Sequence, residues 1–119
     1  MKRLFVLSLL LGTGLFLQAQ LPAQTLSVDQ VHALTDIHQV LPDYMQELDI
    51  ISFEITLKEF GSNSLIIKTN IGSLIGPDIL KMLANATVND QIWFDDIRWT
   101  EKAQVKRTSL SIKLAENED

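Results

Sequence analysis

The chain has 119 residues, no cysteine, 46% apolar content and a formal charge of −5. That length holds one domain around a single core. The lack of cysteine excludes a disulfide scaffold, a thiolate metal site and a lipid-modified cysteine anchor, and the acidic balance excludes nucleic acid or anionic lipid held by bulk charge.

Lys2 and Arg3 precede an apolar run over 4–17 that is broken only by Ser8, Gly12, Thr13 and Gly14, and Leu17-Gln18-Ala19 then offers a small residue for cleavage. This is the pattern of a secretory signal peptide over 1–19, cut after Ala19 with Ala23 as the fallback. A spanning helix wants about 20 apolar residues, so no stable membrane span is expected after cleavage. From Gln20 onward the chain keeps eight Lys and Arg against fifteen Asp and Glu, a formal charge of −7. Residues 20–26 mix Pro, Ala, Gln and Thr without a period and are predicted to be a disordered lead. A single domain over 27–115 follows, and Glu116, Glu118 and Asp119 make an acidic, solvated tail over 116–119.

Val28, Val31, Leu34, Ile37 and Val40 recur every third residue, and Ser27 with Gln30 has the form of a capping box, so the pattern predicts a helix over 28–40. Pro42 stops it. Ile51, Phe53, Ile55 and Leu57 then alternate with Ser52, Glu54, Thr56 and Lys58, which predicts a strand with one face on a core. Gly61-Ser-Asn-Ser64 is a turn signal, and the alternation resumes at Leu65, giving a hairpin over 50–71. Pro77 suits the first position of a second helix, where Ile79, Met82, Leu83 and Ala86 form one apolar stripe.

After a turn at Asn89-Asp90, the stretch Asp90-Gln-Ile-Trp-Phe-Asp-Asp-Ile-Arg-Trp99 holds both tryptophans and does not alternate cleanly. Period-two counting puts Ile92, Phe94, Asp96 and Arg98 on one face and Trp93, Asp95, Ile97 and Trp99 on the other, mixing carboxylate with hydrophobe on both. A β-bulge in which Asp95 and Asp96 oppose one residue of the neighbouring strand removes the conflict. Ile92, Phe94, Ile97 and Trp99 then face the core, and Trp93 and Arg98 face outward. The alternative is a strand that ends at Asp95. A connection over 100–105 leads to a last strand in which Leu110, Ile112 and Leu114 alternate with Ser109, Ser111 and Lys113. Four strands, neighbours antiparallel, with one or two short helices predict a mainly β, sandwich-like fold, with α+β as the alternative.

Four segments taken together resemble a known family: Leu48-Asp-Ile-Ile-Ser-Phe-Glu-Ile-Thr-Leu57, Gly76-Pro-Asp-Ile-Leu-Lys-Met-Leu83, Asn89-Asp-Gln-Ile-Trp-Phe-Asp-Asp-Ile97 and Ser109-Leu-Ser-Ile-Lys-Leu114. Their order is similar to that of the C-terminal domain of GldM, a periplasmic protein of the bacteroidete gliding-motility and type IX secretion machinery. The sequence departs from the family pattern at Asn89, where a turn glycine usually stands, and over 100–108, which has no glycine. The resemblance implies an envelope domain that contacts components of that machine.

The residues offer little chemistry. No Gly-rich phosphate loop or His-Glu-x-x-His motif is present, and His32 and His38, six apart, would sit about 120° apart on a helix. Adjacent Asp95 and Asp96 project to opposite faces of an ordinary strand and could not grip one substrate. Ser27, Ser109 and Ser111 lack a nucleophile elbow, and Asn85-Ala-Thr87 matters as a sequon only in a eukaryotic secretory pathway. No catalytic residue, cofactor or metal is expected. What remains is an interface of Trp93, Arg98 and Trp99, residue types enriched at binding hot spots, with both tryptophans serving as core or sheet-end cover as the alternative. An edge strand offers a second route, by strand addition. The expected function is a non-enzymatic interaction module of the periplasm or outer envelope, binding a protein partner or itself as a homodimer. The alternative is a small exported ligand-binding or hydrolytic domain acting on envelope material.

Overall fold

A computed structural model describes residues 20–117, so the predicted signal peptide and the last two residues of the acidic tail lie outside the described residues. Five strands make one sheet in the spatial order β1-β5-β4-β2-β3. They are β1 (Gln24–Ser27), β2 (Ile50–Lys58), β3 (Leu65–Ile71), β4 (Gln91–Glu101) and β5 (Gln104–Ala115). The β1–β5 pair is parallel and the other pairs are antiparallel. Two helices, α1 (Val28–His32) and α2 (Pro77–Ala84), and two 3₁₀ turns, Ile37–Val40 and Asp43–Met45, supply the second layer. The fold is therefore mainly β with two short helices. The layer facing the sheet is helical rather than a second sheet, which is the α+β arrangement.

Alternation along the strands sends one set of side chains to that layer. Phe53, Ile55 and Leu57 of β2, Ile92, Phe94 and Ile97 of β4, and Leu110, Ile112 and Leu114 of β5 are buried in one cluster with Val31, Ile37, Ile79 and Leu83. The Phe53 and Phe94 rings meet at the centre, their centroids 5.6 Å apart and tilted by 58°. Burying a side chain of this size contributes about 1.5–3 kcal/mol.

Four local expectations are corrected. The stretch read as a disordered lead forms β1, paired from Gln24 opposite Ile112 to Ser27 opposite Ala115, with the Gln24 side-chain amide donating to the Val40 carbonyl at 2.7 Å. The helix predicted over 28–40 is split. The Ser27–Gln30 capping box is present and opens α1, but a second box at Asp36–Gln39 starts the 3₁₀ turn afresh. Between them the backbone is stitched to the segment before α2, Ile37 N–H donating to Ser73 at 3.0 Å and Ile75 N–H to Thr35 at 2.9 Å, bonds that one continuous helix would forfeit. A strict three-residue apolar spacing is the period of a 3₁₀ helix, not of an α-helix.

On β2, Ile50 rather than Ile51 is buried, because Ile50 pairs with Trp99 and Ser52 with Arg98, leaving Ile51 as an extra residue that turns outward. Finally, the connection expected over 100–105 is a tight hairpin. Glu101 pairs with Gln104, and the two turn residues Lys102 and Ala103 have φ of 51° and 64°, the left-handed conformation that a two-residue turn of the primed kind demands.

Candidate interaction surface

β4 carries its irregularity at the dipeptide Asp95-Asp96. Phe94 pairs with Leu110 and Ile97 with Thr108, so the two aspartates stand against the single residue Ser109. Asp96 adopts φ of 49°, a left-handed conformation that aspartate tolerates better than most residues. The strand does not end there but continues to Glu101. The extra residue puts Ile92, Phe94 and Ile97 in the core and leaves Trp93 and Arg98 half-buried on the opposite face. Trp99 falls on the core side, packed against the cluster at its margin, with its indole N–H 3.4 Å from Glu101 Oε1. The three interface candidates are therefore not one patch: the structure brings Trp93 and Arg98 to the same face and sets Trp99 on the other.

That second face of the sheet is covered by no helix among the described residues, and of the side chains it presents only Thr56 is buried. Cross-strand register orders it in rows. One row runs Leu65–Lys58–Gln91–Lys113, the next Ile67–Thr56–Trp93–Ser111, then Thr69–Glu54–Asp95, then Ile71–Ser52–Arg98–Arg107. Trp93 is thus central, with aliphatic residues toward β3 and polar ones around it. Its indole N–H has no hydrogen-bond partner among the described residues.

The bulge fixes the charges beside it. Asp96 Oδ2 accepts from Arg98 Nε at 2.9 Å and lies 2.6 Å from Nη2, and Arg107 Nε stands 3.5 Å from Oδ1. The Arg98 hydrogen bond holds the Asp96 carboxyl below its ordinary range against the opposing effect of burial, with the charges of Arg98 and Arg107 adding to it. Asp95 moves the other way, pushed up by burial and by the neighbouring Asp96 charge. Arg98 is therefore an internally paired residue that braces the bulge, and Trp93 is the freer of the two candidates.

The histidines are structural. His32 Nε2 lies 2.9 Å from the Ala86 carbonyl. His38 sits between two acceptors, Asp36 Oδ1 at 2.7 Å from Nδ1 and the Leu48 carbonyl at 2.8 Å from Nε2, so only the doubly protonated ring satisfies both. Burial pulls the His38 pKa down, but the Leu48 bond and the Asp36 carboxylate outweigh it, with Asp49 adding charge, and the net shift is upward. No group of three or more His, Asp or Glu side chains positioned to hold a metal ion occurs among the described residues.

Sequence reasoning missed two buried polar residues and one surface. Asn70 points inward from β3, its amide donating to the Gly72 and Leu74 carbonyls at 3.1 and 2.9 Å and its oxygen accepting from Gly76 N–H at 2.8 Å. Asp90 is buried at the start of β4, where its carboxylate accepts from the Phe60 and Thr87 backbone N–H groups, each at 2.8 Å. The surface is β3, whose Leu65, Ile66, Ile67 and Ile71 are all exposed. An open groove of about 550 Å³ separates β3 from α2, floored by Leu57, Ile66 and Met82 and bordered by Glu59, Lys68, Asp78 and Lys81. The available signal was that β3 is aliphatic at both parities, which a strand with one solvated face does not require.

No protein-family model, curated protein or solved structure matches this chain.

Proposed function

We propose that this domain is a non-enzymatic docking module that lays the uncovered face of its sheet against a protein partner, with Trp93 as the anchor. The observation that carries the reading is the half-buried indole at the centre of that face, its N–H free of partners among the described residues and its strand braced by the Asp96–Arg98 pair. A rigid aromatic with a polar edge loses little conformational entropy on binding, which is why such residues dominate interface hot spots. The amino-terminal export pattern and the likeness to the C-terminal domain of GldM extend the proposal to an exported partner site in the periplasm or outer envelope, as an accessory part of a gliding or type IX secretion assembly.

The test is a crosslinked pull-down of the tagged protein from its native envelope, read by mass spectrometry beside a Trp93→Ala control. Envelope-machine components that depend on Trp93 are the expected catch. Recovery of soluble background alone, equal for both proteins, defeats the reading.

A further inference from the structure

Among the described residues, the strand at the β3 edge is bonded on one side only, to β2. Gly72 N–H donates to the Ile51 carbonyl at 2.7 Å, immediately beyond the Ile71–Ser52 pair. In an antiparallel ladder this marks Ile71 and Ser52 as a pair that does not bond to each other, so Ile71 and, by the two-residue period, Thr69, Ile67 and Leu65 turn their own N–H and C=O groups away from β2. The Asn70 amide reaches the Ile71 carbonyl at 3.3 Å; the other groups face the open edge. The side chains of these same four residues lie on the uncovered sheet face, where Leu65, Ile67 and Ile71 are 52%, 55% and 81% exposed.

Natural edges of this length are blunted by proline, a bulge or charges along the strand. β3 has no proline and pairs regularly with β2 along its length. Its one charge, Lys68, lines the groove beside Asp78. We propose that two copies of this chain join along β3, antiparallel about a two-fold axis at Thr69, so that two five-stranded sheets become one of ten strands.

The register follows from the side chains. An axis at Lys68 would set Lys68 against its own copy, a like-charge pair directly opposed. An axis at Ile67 would leave Ile71, the most exposed of the aliphatics on this edge, without a strand opposite it. With the axis at Thr69, Ile67 of each copy faces Ile71 of the other and Lys68 faces Asn70, so apolar meets apolar on the open face and no like charges meet. The charges bordering the groove, Glu59 and Asp78 against Lys68 and Lys81, are balanced two and two in a chain that is otherwise acidic, so a second copy brings no net repulsion to this edge. The exposed parts of Leu65, Ile66, Ile67 and Ile71 offer on the order of 400 Å² per protomer, about half of what each partner buries in an interface of standard size, with the strand backbone and its polar neighbours adding to it. A two-fold contact of this kind closes on itself and stops at two copies. The inference does not depend on Trp93 and stands or falls separately from the docking reading.

The experiment is sedimentation equilibrium of the purified protein from about 1 to about 200 μM, a range that brackets micromolar association. Twice the chain mass is expected, with at least a tenfold weaker association for Ile67→Lys, which adds a charge at an already exposed position. Thr69→Pro, which deletes only an outward N–H, is the second variant, and circular dichroism checks that both keep the fold. Because the chain has no cysteine, single-cysteine reporters are unambiguous. Thr69→Cys should crosslink across the axis under mild oxidation, since bonded antiparallel neighbours hold their Cα atoms about 5.5 Å apart. Ser111→Cys, three strands away on the same face, should not. A monomer throughout the range, a dimer indifferent to both variants, a ladder of larger species, or a crosslink at 111 instead of 69 overturns the proposal.

Discussion

The two faces of this sheet are built from the same strands and differ in what they bury. On the covered face, nine side chains of β2, β4 and β5 meet the helical layer and are all but inaccessible. On the other, the same strands present Ser, Thr, Glu, Asp, Arg and one tryptophan in open rows. Packing stability resides on the first face, and most side chains of the second touch too little to matter for it. The bulge at Asp95-Asp96 is what keeps the faces separate: without the extra residue, each half of β4 would carry its hydrophobes to opposite sides.

The largest test of this contrast uses adjacent residues. Phe94→Ala removes a ring at 0% exposure tilted against Phe53 and should cost about 3–5 kcal/mol, while Trp93→Ala, on the open face and only half-buried, should cost about 1–2 kcal/mol. Urea denaturation of both measures the difference, and equal losses would show that Trp93 is a stability residue. A second probe asks whether the covered side relies on polar bonds as well as packing. Asn70→Ala leaves Gly76 N–H and the Gly72 and Leu74 carbonyls without their partner and should cost about 1–3 kcal/mol. A loss well below that would mean that the segment between β3 and α2 finds water instead.

Much of the covered face was legible because hydrophobic alternation has a physical cause: Phe53, Ile55, Leu57, Ile92, Phe94, Leu110, Ile112 and Leu114 each occupy the side that the period assigns. The bulge was legible for the converse reason, since a regular strand through Asp95 and Asp96 would have driven one of the two carboxylates into the core. What was hidden depended on distant partners. β1 forms because β5 offers a free edge, not because Gln24-Thr-Leu-Ser27 has strand character, and the break in the helix predicted over 28–40 is set by bonds from Ile37 and Ile75 across nearly forty positions of sequence. The candidate surface was half legible. Sequence pattern put Trp93 and Arg98 together and outward and, once the bulge is allowed, turned Trp99 to the core side, but nothing local showed that Arg98 is tied to Asp96.

The β4–β5 turn belongs to neither face and calibrates the backbone alone. Ala103 holds a φ of 64°, which glycine adopts without strain, so Ala103→Gly should stabilise the hairpin by up to about 1 kcal/mol, read as a rise in the urea midpoint. A fall instead would mean that the entropy glycine adds to the unfolded chain outweighs the strain it relieves.

The smallest effects come from the two aspartates, and their signs differ. Asp95, with its carboxyl raised, contributes stability below the unfolded aspartate value near 3.9 and loses it as pH rises through the higher folded value. Asp96, with its carboxyl lowered, contributes above about 3.9 and loses that as pH falls through the folded value. At neutral pH Asp95→Asn should therefore stabilise and Asp96→Asn destabilise, each by a few tenths of a kcal/mol once solvent screening is allowed for. Because Asp96 alone is paired to arginine, only its substitution should also free Arg98, and with it loosen the strand that carries Trp93. Amide exchange at Trp93 and Ile97 in the two variants reads this directly: faster exchange in Asp96→Asn with none in Asp95→Asn ties the open face to the bulge, and equal exchange in both reduces the Asp96–Arg98 pair to an ordinary surface contact.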